Sequence, residues 1–157
     1  MTAGTTALVS VNPNAGQQGQ QYLSVTLTGQ STNWVQGITT ATFGAGVTVA
    51  SLIVNSATSA TAVLNIGAAA PIGPRAVTLT TNGGEVDTLS NASTVTVGTP
   101  TLAGVSPNSG QQGQRNLSVA LTGLFTNWVQ GTTSASFGPG ISVVSLTVNS
   151  ARAPQRY

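Results

Sequence analysis

The stretch Val105-Ser-Pro-Asn-Ser-Gly-Gln-Gln-Gly-Gln114 decides how this chain is organised, because it repeats Val11-Asn-Pro-Asn-Ala-Gly-Gln-Gln-Gly-Gln20. The two copies are offset by 94 residues, and the match continues without a gap to Ala151, the counterpart of Ala57. A solenoid unit is shorter, typically about 20–50 residues, so this period predicts one domain per copy. We expect a complete repeat over residues 1–98 and a truncated second repeat over residues 99–157. The aligned landmarks are Pro13 and Pro107, Trp34 and Trp128, and Phe43 and Phe137.

Charged side chains are scarce: the chain has four arginines, two acidic residues and no lysine, histidine or cysteine. Binding to nucleic acid or to an anionic membrane needs clustered basic residues, so we expect neither partner. Without cysteine there is no disulfide or thiolate metal site, and no apolar run approaches a membrane span. Solubility from Ser, Thr, Asn, Gln and Gly is common in exported proteins. We therefore expect an extracellular or cell-surface protein, although Met1–Ala7 lacks the features of a signal peptide.

Short apolar runs alternate with polar residues along both copies, which is the period-two signature of β-strands. Turns about every 8–12 residues favour an all-β, immunoglobulin-like β-sandwich. The predicted strands cover residues 7–11, 23–28, 39–43, 47–54, 60–66, 76–80, 85–89 and 93–97, and residues 13–20 are predicted to form a loop. The predicted core holds Leu8, Leu23, Val25, Leu27, Phe43, Val49, Leu52, Val54, Leu64, Ile66, Val77, Leu79, Val95 and Val97.

The order of proline, glycine and strand motifs is similar to that of a known family. The motifs are Val11-x-Pro13-x-x-Gly16-x-x-Gly19, Val25-x-Leu27-x-Gly29, Phe43-Gly44 and Thr78-Leu-Thr-Thr-Asn-Gly-Gly84. Together they resemble the IPT/TIG branch of immunoglobulin-like domains, and more narrowly the tandem IPT/TIG-like repeats of large bacterial surface and secreted proteins. The resemblance covers the first copy and all of the second that is present. One departure is that the family's aromatic residue after the strand-ending glycine occurs as Phe125 but is replaced by Ser31. The resemblance implies a binding or spacing module rather than a catalyst.

The residues needed for catalysis are nearly missing from the sequence. With no histidine, cysteine or lysine, the only carboxylate side chains are Glu85 and Asp87, and acid–base or nucleophilic catalysis needs a positioned titrating group. Two residues apart on a strand, these carboxylates share one face. A calcium site collects about six to eight oxygens, so we expect a solvated strand edge after a hairpin turn. We predict no enzyme activity, no bound metal and no cofactor.

Trp34 and Trp128 lie in identical Thr-Asn-Trp-Val-Gln-Gly contexts, and two interpretations are open. An exposed tryptophan can stack on a sugar ring, with neighbouring Asn and Gln as hydrogen-bond donors, which would make the chain a carbohydrate-binding or adhesin module. Alternatively, the tryptophan closes one end of the sandwich, with its indole N–H bonded to a loop carbonyl. The repetition favours the structural role, because each copy must fold.

The second copy lacks counterparts of residues 58–97, so we expect an open half-sandwich with unpaired strand edges and an exposed apolar face. Either the chain is a fragment of a longer repeat, or a neighbouring chain completes the half-domain by strand addition. The second possibility predicts a homo-oligomer or filament. The sequence thus favours a non-catalytic extracellular structural protein, acting as a spacer or self-assembling surface subunit. The predicted self-association face consists of Leu117, Val119, Leu121, Phe137, Val143, Leu146 and Val148.

Overall fold

Alternating apolar and polar residues form strands throughout the part of the chain that the computed structural model describes, residues 4–149. No helix long and apolar enough to cross a membrane occurs in this range. The chain divides between Gly98 and Thr99 into two units. The strands of the first unit are β1 (Ala7–Asn12), β2 (Ala15–Gln17), β3 (Leu23–Gln30), β4 (Thr40–Thr42), β5 (Val47–Ser56), β6 (Ser59–Ile66), β7 (Gly73–Thr81) and β8 (Glu85–Thr96). Those of the second unit are β9 (Thr101–Ser106) and β10 (Ala120–Leu124).

The first unit consists of two four-stranded sheets. One sheet has the order β1-β3-β6-β5 with antiparallel neighbours, and the other has the order β2-β8-β7-β4. In the second sheet β2 runs parallel to β8, while the other neighbours are antiparallel. The architecture is therefore all-β and consistent with a β-sandwich.

The core of the first unit lies between the two sheets. The alternating pattern that builds this core is most regular in strand β6. There Ala60, Ala62, Leu64 and Ile66 are buried and the residues between them are not. Ala60, Ala62 and Leu64 belong to the main cluster together with Val77 and Leu79 of the other sheet, whereas Ile66 packs in a smaller cluster with Ala70 and Val95. Nine of the predicted core residues are buried: Leu8, Val25, Leu27, Phe43, Leu64, Ile66, Val77, Leu79 and Val95. Four are only partly buried: Leu23, Val49, Leu52 and Val54.

Three sequence-based expectations for the first unit were wrong. Val97 is 52% exposed because β8 ends one residue earlier, at Thr96. Residues 85–96 form one long strand rather than two, because a bulge in the β7–β8 pairing, between Arg75 and Val77, accommodates the polar residues between the apolar runs. The predicted loop over residues 13–20 contains a strand, because β2 finds its partner about 80 residues later, where Gly16 pairs with Val95.

The second unit repeats the first strand pair of the first unit. Strands β9 and β10 pair antiparallel with the same register as β1 and β3, displaced by the repeat offset, and with the register shift at the same place. Leu8 faces Gly29 in the first unit, and Leu102 faces Gly123 in the second. The sequence repeat is thus also a repeat of backbone structure across this pair.

Candidate functional site

The site that differs between the two units begins at the loop after β3 and its counterpart after β10. In the first unit this loop is held by Ala57, whose carbonyl accepts hydrogen bonds from Thr32 Oγ1 at 2.6 Å and from the Trp34 amide at 3.1 Å. Gly29 is buried beneath it, and a Cβ there would lie 2.9 Å from Cη2 of Trp34. Such a contact is too close for any larger residue, so glycine lets the tryptophan fold back over the strand end.

Trp34 is buried, at 2% exposed, and belongs to the main core cluster. Its indole N–H donates to Asp87 Oδ2 at 3.0 Å. The prediction that Trp34 is an exposed platform for a sugar is therefore wrong, because neither ring face is accessible to a ligand. The structural interpretation was nearer, but the acceptor is a carboxylate on β8 rather than a loop carbonyl.

The two acidic side chains, Glu85 and Asp87, are both engaged with this loop. Asp87 is 2% exposed, so the expectation of a solvated edge was wrong for this residue. Glu85 accepts two hydrogen bonds from Asn33, from the backbone amide at 2.9 Å and from Nδ2 at 3.0 Å. Asp87 keeps its other oxygen, Oδ1, without a hydrogen-bond partner among residues 4–149. Because a buried carboxylate is costly unless it is hydrogen-bonded, the bond from the Trp34 N–H offsets part of the cost of burying Asp87.

The loops of the second unit keep the backbone of the first. Val35 donates to Thr39 Oγ1 at 2.8 Å, and Val129 donates to Thr133 Oγ1 at the same distance. Ser31 has a φ of 56° and its counterpart Phe125 has a φ of 57°. The loop that carries Trp34 in the first unit is therefore reproduced in the second without the strands that surround it in the first.

A glutamine fixes the segment after this loop in both units. Gln130 donates from Nε2 to the Leu146 carbonyl at 3.1 Å and accepts from the Val148 amide at 2.6 Å. Gln36 makes the equivalent pair of bonds to β5. The segment over residues 141–148 is thus attached where β5 is attached, although it is not a strand.

Strands of the second unit persist only where the partner strand is also present. In the first unit β2 pairs with β8, β4 with β7, and β5 with β6. The counterparts of β2, β4 and β5 at residues 109–111, 134–136 and 141–149 are not strands. By contrast, β9 and β10 have each other. A backbone without a neighbouring strand has no ladder of hydrogen bonds to hold it extended.

Several apolar side chains are less buried in the second unit than in the first, although Leu146 and Val148 keep the intermediate burial of Leu52 and Val54. Leu8 is 2% exposed, whereas its counterpart Leu102 is 59% exposed. Leu117 and Val143 are exposed, at 41% and 40%. None of the seven residues of the predicted face is fully buried, the other five being partly exposed: Val119, Leu121, Phe137, Leu146 and Val148. We call these seven residues together with Leu102 the second-repeat face.

The second tryptophan differs from the first in its surroundings. Trp128 is only partly buried, and neither Asn127 nor Trp128 makes a side-chain hydrogen bond within the described residues 99–149. The sequence from residue 99 onward contains no Asp or Glu. The pair of donors that binds Glu85 and Asp87 in the first unit is therefore present in the second without its acceptors.

No family model, no curated protein and no solved structure matches this chain. The IPT/TIG resemblance therefore stays a prediction. Within residues 4–149, no three His, Cys, Asp or Glu side chains lie together in a way that could hold a metal ion.

Proposed function

We propose that this chain is a non-catalytic structural protein of immunoglobulin-like repeats, acting as a spacer or surface subunit outside the cell. In this proposal the second repeat is an acceptor that a neighbouring chain completes with strands equivalent to β6, β7 and β8. The observation that carries the proposal is the second-repeat face, none of whose residues is fully buried. Of its counterparts in the first unit, four are buried, Leu8, Val25, Leu27 and Phe43, and four are partly buried against the same core, Leu23, Val49, Leu52 and Val54.

The topology of the first unit supports an immunoglobulin-like assignment. Constant-type immunoglobulin domains have strands A, B, E and D in one sheet and C, F and G in the other. Taking β1, β3, β4, β5, β6, β7 and β8 as A to G reproduces both orders, with β2 as an extra strand beside the last one. Such domains serve many functions, so the topology supports the fold and not a particular ligand.

A structural role, rather than a catalytic one, is supported by the use of the only two acidic side chains. Glu85 is bound to Asn33 and Asp87 is bound to Trp34, so both carboxylates hold the loop in place. With no histidine, cysteine or lysine in the sequence, a serine or threonine hydroxyl would have no neighbouring base to activate it. A location outside the cell is supported by the composition, in which charged residues are scarce and solubility depends on Ser, Thr, Asn, Gln and Gly.

The chemistry of the partner follows from the first unit. There β6 lies between β3 and β5 and pairs with both, so its counterpart would lie between β10 and the segment over residues 141–148. It would present small and branched apolar residues at alternate positions, as Ala62, Leu64 and Ile66 do. Each side chain that passes from exposed to buried contributes about 1.5–3 kcal/mol, and the new strand also satisfies the free edge of β10.

The number of strands available decides which neighbour can act as donor. Within residues 4–149 one set of β6–β8 is present, and the first unit uses it. Donation of this particular set to a second copy would cover one face and uncover another, with no net gain in buried area. We propose a donor chain with a spare set of these strands. A homo-oligomer formed by two second-repeat faces packed against each other is the competing outcome.

The test is to titrate the full chain with a synthetic peptide that has the sequence of residues 58–98. We expect saturable one-to-one binding and a blue shift of tryptophan emission, because Trp128 passes from a partly exposed to a buried environment. A Trp128→Phe chain should bind without this shift, which separates binding at the second unit from exchange into the first. A control peptide with Leu64→Asn and Ile66→Asn should bind more weakly by a factor of about 100 or more.

Two results would contradict the proposal. One is no binding at concentrations where the chain is monomeric by light scattering, since the second-repeat face would then have no affinity for its expected strands. The other is a stable dimer of the chain alone that excludes the peptide, which would assign the face to a second copy.

A further inference from the structure

We infer that Asn127 and Trp128 select the strand that completes the second repeat, and that this strand carries an acidic pair of the form Glu-x-Asp. This inference rests on the proposed function and gives the accepted strand a chemical signature beyond its apolar pattern.

The first unit shows how the recognition works. Asn33 holds the Glu85 carboxylate with two donors, one to each oxygen, and Trp34 donates to Asp87 from its indole nitrogen. Residues two apart on a strand point to the same face and lie about 7 Å from each other. Two adjacent residues of the loop, Asn33 and Trp34, therefore donate hydrogen bonds to two alternate residues of the strand, Glu85 and Asp87.

The second unit keeps the donors and the means of holding them. The sequence Thr-Asn-Trp-Val-Gln-Gly is identical over residues 32–37 and 126–131. The Val129 amide donates to Thr133 Oγ1, and the amides of Thr132 and Thr133 donate to the Val129 carbonyl, as the counterparts do in the first unit. The loop is thus preorganised, so that binding a strand costs little conformational entropy in this loop.

The acceptors have no counterpart within residues 99–157. Residues from 99 onward include no acidic side chain, and the described part of this unit offers Trp128 Nε1 no acceptor. An incoming strand buries this nitrogen as β8 buries that of Trp34, so a strand without an acceptor would leave a buried donor unsatisfied. A strand with Asp at this position and Glu two residues earlier satisfies both Trp128 and Asn127.

The experiment uses the full chain and the peptide of residues 58–98 in calorimetric titrations, with acidic variants of the peptide. We expect Asp87→Ala in the peptide to weaken binding about 10-fold to 100-fold, because it leaves the indole N–H without its acceptor. Glu85→Ala should weaken binding by about 10-fold, since its site is more exposed. A peptide with Thr88→Ala, at a position that points to the opposite face, should bind as the parent peptide does.

A double-mutant cycle ties the effect to the named pair. Trp128→Phe in the chain keeps most of the ring and removes the N–H, so it should weaken binding of the parent peptide. On the Trp128→Phe chain, Asp87→Ala in the peptide should have little further effect, because the two changes remove one interaction.

The outcomes separate this inference from the proposed function. If the parent peptide binds and the acidic variants bind equally well, the acidic signature is wrong and the acceptor role stands. Losses from Trp128→Phe and Asp87→Ala that multiply independently would also overturn the signature. If the parent peptide does not bind at all, the acceptor role itself is wrong.

Discussion

The two repeats begin with the same residues and the same loops, yet their side chains end in different environments. Trp34 is buried and bonded to Asp87, whereas Trp128 is partly exposed and has no such bond in the described chain. Gln18 is also buried and donates to the Ala70 carbonyl at 2.7 Å, whereas its counterpart Gln112 is exposed. The comparison therefore distinguishes structure that a short stretch of sequence forms by itself from structure that also needs residues far away in the chain.

The loops and the first strand pair of each repeat, β1–β3 and β9–β10, form from nearby residues alone. The bend at Gln17 closes through the Gln20 side chain at 3.0 Å, and the bend at Gln111 closes through Gln114 at 2.9 Å. These contacts span three residues, so they form in either copy. The strands β2, β4 and β5 do not form this way, because each needs a partner from residues 59–96. Cooperative packing is thus confined to the copy that has both halves.

The largest difference between the repeats is expected for their matched phenylalanines. Phe43 is 1% exposed in the core, and Phe43→Ala should lower the free energy of unfolding by about 3–5 kcal/mol through lost burial and the cavity left behind. Phe137→Ala should lower it by only about 1–2 kcal/mol, because Phe137 is partly exposed to water. Guanidinium unfolding curves of the two full-length variants measure both values. Equal losses would mean that the second repeat has a closed core, contrary to this account.

A smaller difference is expected for the matched tryptophans. Trp34→Phe removes the only hydrogen bond found for the buried Asp87 side chain in the described residues, and should lower the free energy of unfolding by about 2–3 kcal/mol. Trp128→Phe should change it by less than about 0.5 kcal/mol, as is usual for a position without a lost partner.

The control for the tryptophan pair is the double variant Trp34→Phe/Asp87→Leu. It removes both polar partners together, so it should recover part of the stability that Trp34→Phe loses. If the double variant is less stable than the sum of the single losses, the Trp34–Asp87 hydrogen bond is not what tolerates the buried carboxylate.

Much of the fold could be predicted from the sequence, because alternation reports which residues face inward. Leu23–Gln30 and Ser59–Ile66 bury alternate residues as expected. Strand β2 could not be found this way, since it is three residues long and its parallel partner lies at the other end of the repeat. The sequence predicts two strands in place of the long β8, because the polar residues Ser90 and Asn91 are typical of a turn. Asn91, with a φ of 53°, lies instead at the bulge.

The candidate site was only partly predictable for a related reason. The second-repeat face could be predicted, because each apolar core residue of the first copy up to Val54 has an aligned counterpart 94 residues later. The burial of Asp87 was missed, because a carboxylate between turns is usually solvated. Its position relative to Leu89 carried a signal, since residues two apart share a face and Leu89 packs against the core. The pairing of Asp87 with Trp34 needed the tertiary structure, because 53 residues separate them.

The most direct test of the central claim is to supply the missing strands within the same chain. Residues 58–98 are repeated after Ala151 in place of the last six residues, and backbone hydrogen exchange is measured across residues 101–149. The account predicts that the segment over residues 141–148 becomes as protected as Val47–Ser56, and that Trp128 becomes as buried as Trp34 with the chain monomeric. Amides over residues 141–148 that exchange as fast as in the shorter chain would contradict the claim that absent partner strands alone keep the second repeat open.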